Sequence, residues 1–104
     1  MSNDERIRIA ILGATGYTGA ELARLLLGHP RARIVEMVGH GKAGQPIATV
    51  LPSLAGLVPG DVLAFDADRI AANSDAVFSC LPHGASAKLS GELRVRGKIV
   101  FDLS

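Results

Sequence analysis

The sequence predicts an α/β protein built on a doubly wound, mainly parallel sheet. Three observations carry that expectation. An alternating apolar run, Ile7-Arg8-Ile9-Ala10-Ile11-Leu12, leads into the glycine turn Gly13-Ala14-Thr15-Gly16-Tyr17-Thr18-Gly19, which opens an amphipathic helix. Short apolar runs then alternate with helical stretches, the pattern of successive crossover units, and right-handed crossovers give a doubly wound sheet. The chain is 48% hydrophobic but only 4% aromatic. Its core is therefore aliphatic, which suits a buried parallel sheet covered by helices.

The elements follow in order. Arg6 to Leu12 reads as the first strand, with Ile7, Ile9 and Ile11 on one face. Thr18 to Leu27 is the first helix, where Leu22, Leu25 and Leu26 recur at the spacing of a buried stripe. His29-Pro30 ends it, because proline disfavours helix at the residue before it. Arg33 to Val38 is the second strand, followed by a glycine-rich loop from Gly39 to Gly44. Pro46 to Gly60 is irregular or carries a short helical turn. Asp61 to Phe65 reads as a short third strand and Ala67 to Asn73 as a short helix. Asp75 to Leu81 is the fourth strand. Gly84 to Arg94 is a helix interrupted by Gly91, and Lys98 to Leu103 is the last strand.

Length and composition bound the functions. A chain of 104 residues is one domain. The formal net charge of +1 leaves no basic surplus for nucleic acid. One cysteine, Cys80, excludes an intrachain disulfide and fits a reducing compartment. Met1-Ser2-Asn3-Asp4-Glu5 lacks signal-peptide character, and no apolar run is long enough to span a bilayer. A soluble, cytoplasmic protein without a membrane partner is the expectation.

The glycine turn points to a dinucleotide. A helix start carries free N–H groups and a partial positive charge, which favour an anion. G-x-x-G-x-x-G at a strand-to-helix junction is a variant of the G-x-G-x-x-G fingerprint of Rossmann-type domains. Gly13 makes the turn, Gly16 lets backbone and ligand approach, and Gly19 lets helix and strand pack closely. Ala14 and Tyr17 complete the turn. Thr15 and Thr18 offer hydroxyls to phosphate oxygens, and Thr18 is equally suited to cap the helix.

The tip of the second strand bears on which dinucleotide. NAD-preferring folds place an acid there to bond the ribose hydroxyls. Glu36 stands inside the strand, a few residues early, and Val38-Gly39-His40-Gly41-Lys42 contains no acid. Lys42 or protonated His40 would attract a 2′-phosphate that a carboxylate would repel. NADP is thus the expected cofactor.

Leu81-Pro82-His83-Gly84 follows the fourth strand, at the carboxyl edge where ligands bind in such sheets. This turn is suited to border the nicotinamide or its phosphates, with His83 as a positioning residue. Cys80 lies in an apolar run and reads as structural. Asp102 closes the last strand at the same edge. No catalytic and no metal-ligating set emerges from these residues.

Together these stretches resemble N-acetyl-gamma-glutamyl-phosphate reductase of arginine biosynthesis. The resemblance rests on Gly13-Ala14-Thr15-Gly16-Tyr17-Thr18-Gly19-Ala20-Glu21-Leu22, His29-Pro30, Ala43-Gly44-Gln45-Pro46, Leu51-Pro52-Ser53-Leu54, Phe78-Ser79-Cys80-Leu81-Pro82-His83-Gly84 and Asp102-Leu103-Ser104. It implies an NADP-dependent reduction of an acyl phosphate, a small-molecule substrate, to a semialdehyde by an enzyme expected to be a homo-oligomer at full length. The family's reaction proceeds through a cysteine thioester with a histidine as acid–base catalyst. The nucleophile stands in a Gly-Cys-Tyr context that does not occur here, and Cys80 does not match it. The resemblance therefore implies that residues 1–104 are a partial NAD(P)-binding Rossmann domain, roughly the first third of the family's length, without the catalytic domain and inactive alone. The family's arginine after the second strand is also missing, and Lys42 is its substitute. Two other readings are an aspartate-semialdehyde-dehydrogenase-like segment and a non-catalytic nucleotide-binding module.

Overall fold

Four parallel strands form one sheet in the computed structural model, which describes residues 5–103. They are β1 (Ile7–Leu12), β2 (Ala32–Val38), β3 (Ala76–Ser79) and β4 (Ile99–Asp102), in spatial order β2-β1-β3-β4. The chain leaves β1 toward one side to make β2 and later crosses back to make β3 on the other side. That reversal is the doubly wound arrangement.

The helices are α1 (Tyr17–Leu27), α2 (Ile47–Val50), α3 (Ala67–Asn73) and α4 (His83–Arg94), with a 3₁₀ turn at Pro52–Leu54. Alternation along β1 divides the core between the two faces of the sheet. Ile9 and Ile11 pack with Ala23 of α1, Met37, Ile47, Leu54, Val58 and Val62. Ala10 and Leu12 pack with Ile70 of α3, Leu93 of α4, Val38, Val77 and Val100. β1 is buried from both sides, while Ile7 at its start is half exposed.

Several boundaries differ from the sequence expectation. Asp61 to Phe65 does not form a strand. It makes one parallel bridge, Val38↔Leu63, and one antiparallel bridge, Pro46↔Asp61. Asp66 then caps α3 by accepting a hydrogen bond from the Arg69 N–H at 3.0 Å. Leu63 nevertheless sits beside β2, in the place of a further strand. Helix α1 begins at Tyr17, and its N-cap is Gly16 without a side-chain hydrogen bond, so Thr18 is not the cap. Helix α4 starts at His83 and runs through Gly91 without interruption, since one glycine inside a packed helix weakens it without breaking it. β2 starts one residue earlier than expected, and β3 and β4 are shorter at both ends. Ser104, which closed the last motif, lies outside the described residues.

Candidate functional site

Parallel strands that enter a sheet from one side all end on the other, so the loops after β1, β2 and β3 meet along the carboxyl edge. These loops, with the helix starts that follow them, hold every cofactor-binding candidate singled out from the sequence. The glycine turn follows β1, His40 and Lys42 follow β2, and Leu81-Pro82-His83-Gly84 follows β3.

The turn is held from both sides. The Ala14 N–H donates to the Val38 carbonyl at 3.1 Å, and the Cys80 N–H donates to the Leu12 carbonyl at 2.9 Å. Gly13 adopts φ of +71°, a conformation open to glycine at little cost. A Cβ there would also stand 2.9 Å from the Cys80 carbonyl oxygen. Gly19 answers to a different constraint. Its backbone is ordinary helix, but a Cβ would fall 2.5 Å from the Gly13 carbonyl oxygen. Two of the three glycines thus let the first turn of α1 sit directly on the β1 exit, beside the exit of β3.

That first turn is electropositive. Its leading N–H groups have no intrahelical acceptor, Gly16 supplies no side-chain cap, and no acidic residue stands in the turn. Gly16, Tyr17 and Thr18 are exposed there, Thr15 is half-buried, and Ala14 is buried with its N–H committed to β2. Tyr17 is 84% exposed, so an aromatic ring lies open to solvent at the helix start.

The β2 tip carries no free carboxylate. Glu36 is buried, and its carboxylate accepts hydrogen bonds from Arg69 Nε at 3.2 Å and Asn73 Nδ2 at 3.0 Å. It is turned under α3 and is spent on structure. His40 and Lys42 are exposed on a loop whose Gly41 and Gly44 have φ of +82° and +89°. The Gly44 N–H donates to the Val62 carbonyl at 2.7 Å, which fixes the far end of that loop.

After β3, Pro82 caps α4 and His83 and Gly84 begin it, all three exposed, while Leu81 is half-buried against the core. The hydroxyls of Ser79 and Ser86 lie 2.6 Å apart, fully buried, and tie this helix start to the strand end. The sequence reading missed this pair. The signal was present in two small polar residues on elements that had to pack. Cys80 is half-buried, and burial pushes its thiol pKa up, away from thiolate character. Among the described residues, no group of three His, Cys, Asp or Glu side chains is placed to hold a metal. No helix among them is long and apolar enough to cross a membrane.

The sequence reading also missed a contact between Thr15 and Gly39. A Cβ at Gly39 would stand 2.7 Å from Thr15 Cγ2 and 3.0 Å from Val62 Cγ1.

Residues 8–104 match the family described as semialdehyde dehydrogenase, NAD binding domain. The N-acetyl-gamma-glutamyl-phosphate reductase of Halothermothrix orenii is 41% identical over 98 residues, which cover 94% of this chain and 28% of that protein. The enzyme of the same name from Rhodopirellula baltica is 41% identical over 102 residues, covering 98% and 30%. A Saccharolobus solfataricus protein named LysW-L-2-aminoadipate/LysW-L-glutamate phosphate reductase is 38% identical over 100 residues, covering 96% and 28%. The chain thus spans less than a third of the length of these relatives. Among solved structures, the aspartate semialdehyde dehydrogenase of Candida albicans with NADP has a TM-score of 0.81 at 22% identity. It covers 93% of this chain and 29% of its own, a likeness of fold.

Proposed function

The chain belongs to the semialdehyde dehydrogenase NAD-binding domain family, and from that premise we propose that it is the dinucleotide-binding portion of an NADPH-dependent acyl-phosphate reductase. The substrate class is N-acetyl-glutamyl 5-phosphate, reduced to the semialdehyde with release of phosphate. Support for the substrate comes from the relatives' names and from Leu81-Pro82-His83-Gly84 and Asp102-Leu103. In this reading residues 1–104 are one partial Rossmann-type domain of a cytoplasmic, homo-oligomeric enzyme with no nucleic-acid or membrane partner. The thioester-forming cysteine and the catalytic histidine lie elsewhere in the parent protein.

One observation carries the cofactor part. The bare, acid-free first turn of α1 lies against the β1 and β3 exits, and Glu36, the one acid within β2, is buried under α3. A bound dinucleotide would supply hydride. This chain's residues would bind and orient it. Gly16 admits the pyrophosphate to the helix start that Gly13 and Gly19 seat against the strand exits, with Ala14, Thr15, Tyr17 and Thr18 lining the turn. His40 and Lys42 face the 2′-phosphate, and Leu81, Pro82, His83 and Gly84 border the nicotinamide end.

The test is turnover of N-acetyl-glutamyl phosphate by the full-length protein with NADPH. Absence of NADPH oxidation sinks the substrate assignment, while titration with NADPH tests the cofactor site separately. A second reading is an aspartate-semialdehyde-dehydrogenase-like enzyme acting on aspartyl phosphate. Competition between the two acyl phosphates separates them.

A further inference from the structure

Gly39 poses a specific question. The described chain has glycines at positive φ at positions 13, 41, 44, 56, 60 and 97, where the backbone itself favours glycine. Gly39 is not among them. Its backbone is one that any residue adopts, and its N–H donates to the Leu63 carbonyl at 3.0 Å in ordinary fashion. What forbids a side chain is occupied space. A Cβ would meet Thr15 Cγ2 at 2.7 Å, Val62 Cγ1 at 3.0 Å and Thr15 Oγ1 at 3.3 Å. The first distance is shorter than real Cβ contacts, and two of the three atoms belong to one threonine.

The position is also chemically charged with meaning. Gly39 follows the last residue of β2 and stands about 20 residues beyond the last glycine of the turn, the interval at which NAD-binding folds place the acid that bonds the ribose hydroxyl. Here the threonine of the glycine turn fills the place from which that acid would project. Resting on the dinucleotide reading above, we propose that Thr15 and Gly39 are a coupled specificity pair. The Thr15 side chain keeps position 39 free of any side chain, so no carboxylate can project from that position, and the site stays open to a 2′-phosphate. Thr15 acts here by occupying space, in addition to any bond its hydroxyl makes to a phosphate. The pair also explains how one turn controls the other end of the ligand.

The experiment is a double-mutant cycle on the full-length protein, read by calorimetric titration with NADP and with NAD. Gly39→Asp alone loses NADP affinity and gains little for NAD, because Thr15 displaces the new carboxylate. Adding Thr15→Ala to Gly39→Asp releases that carboxylate and raises NAD affinity about tenfold over the single variant, within the coupling range of residues in contact. Equal NAD affinity in Gly39→Asp with and without Thr15→Ala overturns the pair. Failure of the unsubstituted protein to bind either dinucleotide overturns the cofactor reading instead. A second cycle needs no ligand. Gly39→Ala lowers the melting temperature, and Thr15→Ala in the same chain restores part of the loss. Additive losses overturn the steric coupling even if the Asp variants fail to fold.

Discussion

Arg69 of α3 donates from Nε to the buried carboxylate of Glu36 on β2 at 3.2 Å and from Nη2 to the Ala64 carbonyl at 2.5 Å. The guanidinium thus joins the helix, the strand and the segment between them. It also holds Glu36, the one acid within β2, buried against α3. Removing one partner of a buried pair strands the other charge, which costs more than the pair contributes. Arg69 is partly exposed and Asn73 would remain on Glu36, so Arg69→Ala is expected to cost about 2 kcal/mol. Glu36→Gln should cost less, and denaturant titration of both variants checks the order. A larger loss for Glu36→Gln would contradict this account.

Two glycine substitutions should move stability in opposite directions. Gly13→Ala meets both a positive φ and the Cys80 carbonyl at 2.9 Å. It is expected to cost about 2–4 kcal/mol and to weaken dinucleotide binding. Gly91 lies inside α4, and a Cβ there meets nothing within 4 Å. Gly91→Ala should therefore stabilise by about 0.5–1 kcal/mol, the ordinary helix preference for alanine. Thermal melts of the pair test whether space and φ, rather than glycine content, govern the turn.

Lys42 stands exposed on the loop after β2. If it faces the 2′-phosphate, Lys42→Ala should weaken NADP about five- to tenfold, the effect of roughly 1 kcal/mol for an exposed charge pair, and leave NAD unchanged. The difference should shrink as salt is raised. An unchanged affinity ratio removes Lys42 from the site.

Arg8 and Asp75 bind β1 to the turn before β3. The Arg8 backbone N–H donates to Asp75 Oδ2 at 2.8 Å, and its guanidinium reaches Oδ1 at 3.0 Å and Oδ2 at 3.2 Å. Hydrogen bonds from the Arg8 side chain and backbone lower the Asp75 pKa from 3.8 to about 2. A depressed carboxylate pKa stabilises the fold above the ordinary value, and the stabilisation is lost as pH falls through about 2. Both side chains are partly exposed, so the contribution is screened and modest. Asp75→Asn should lower the melting temperature at neutral pH, and the gap should close as the pH approaches 2. A gap that persists there places the loss in shape rather than charge.

The glycine turn, its position between a strand and a helix, and the alternation of elements were legible in the sequence because each is a local rule. A strand repeats every second residue, a helix start needs particular dihedral angles, and a turn needs glycine. These determined the α/β class and located the three loops of the candidate site. Tertiary packing decided the rest. The stretch at Asp61 to Phe65 reads as a short strand, yet it makes only single bridges, to Val38 of β2 and to Pro46. Glu36 is an acid near the ribose position, yet Arg69 and Asn73 bury it. Gly39 looks like loop composition, yet Thr15 occupies the space a side chain there would need. Each depends on residues distant in sequence that the sheet brings within van der Waals or hydrogen-bond range, and no local period encodes such a meeting.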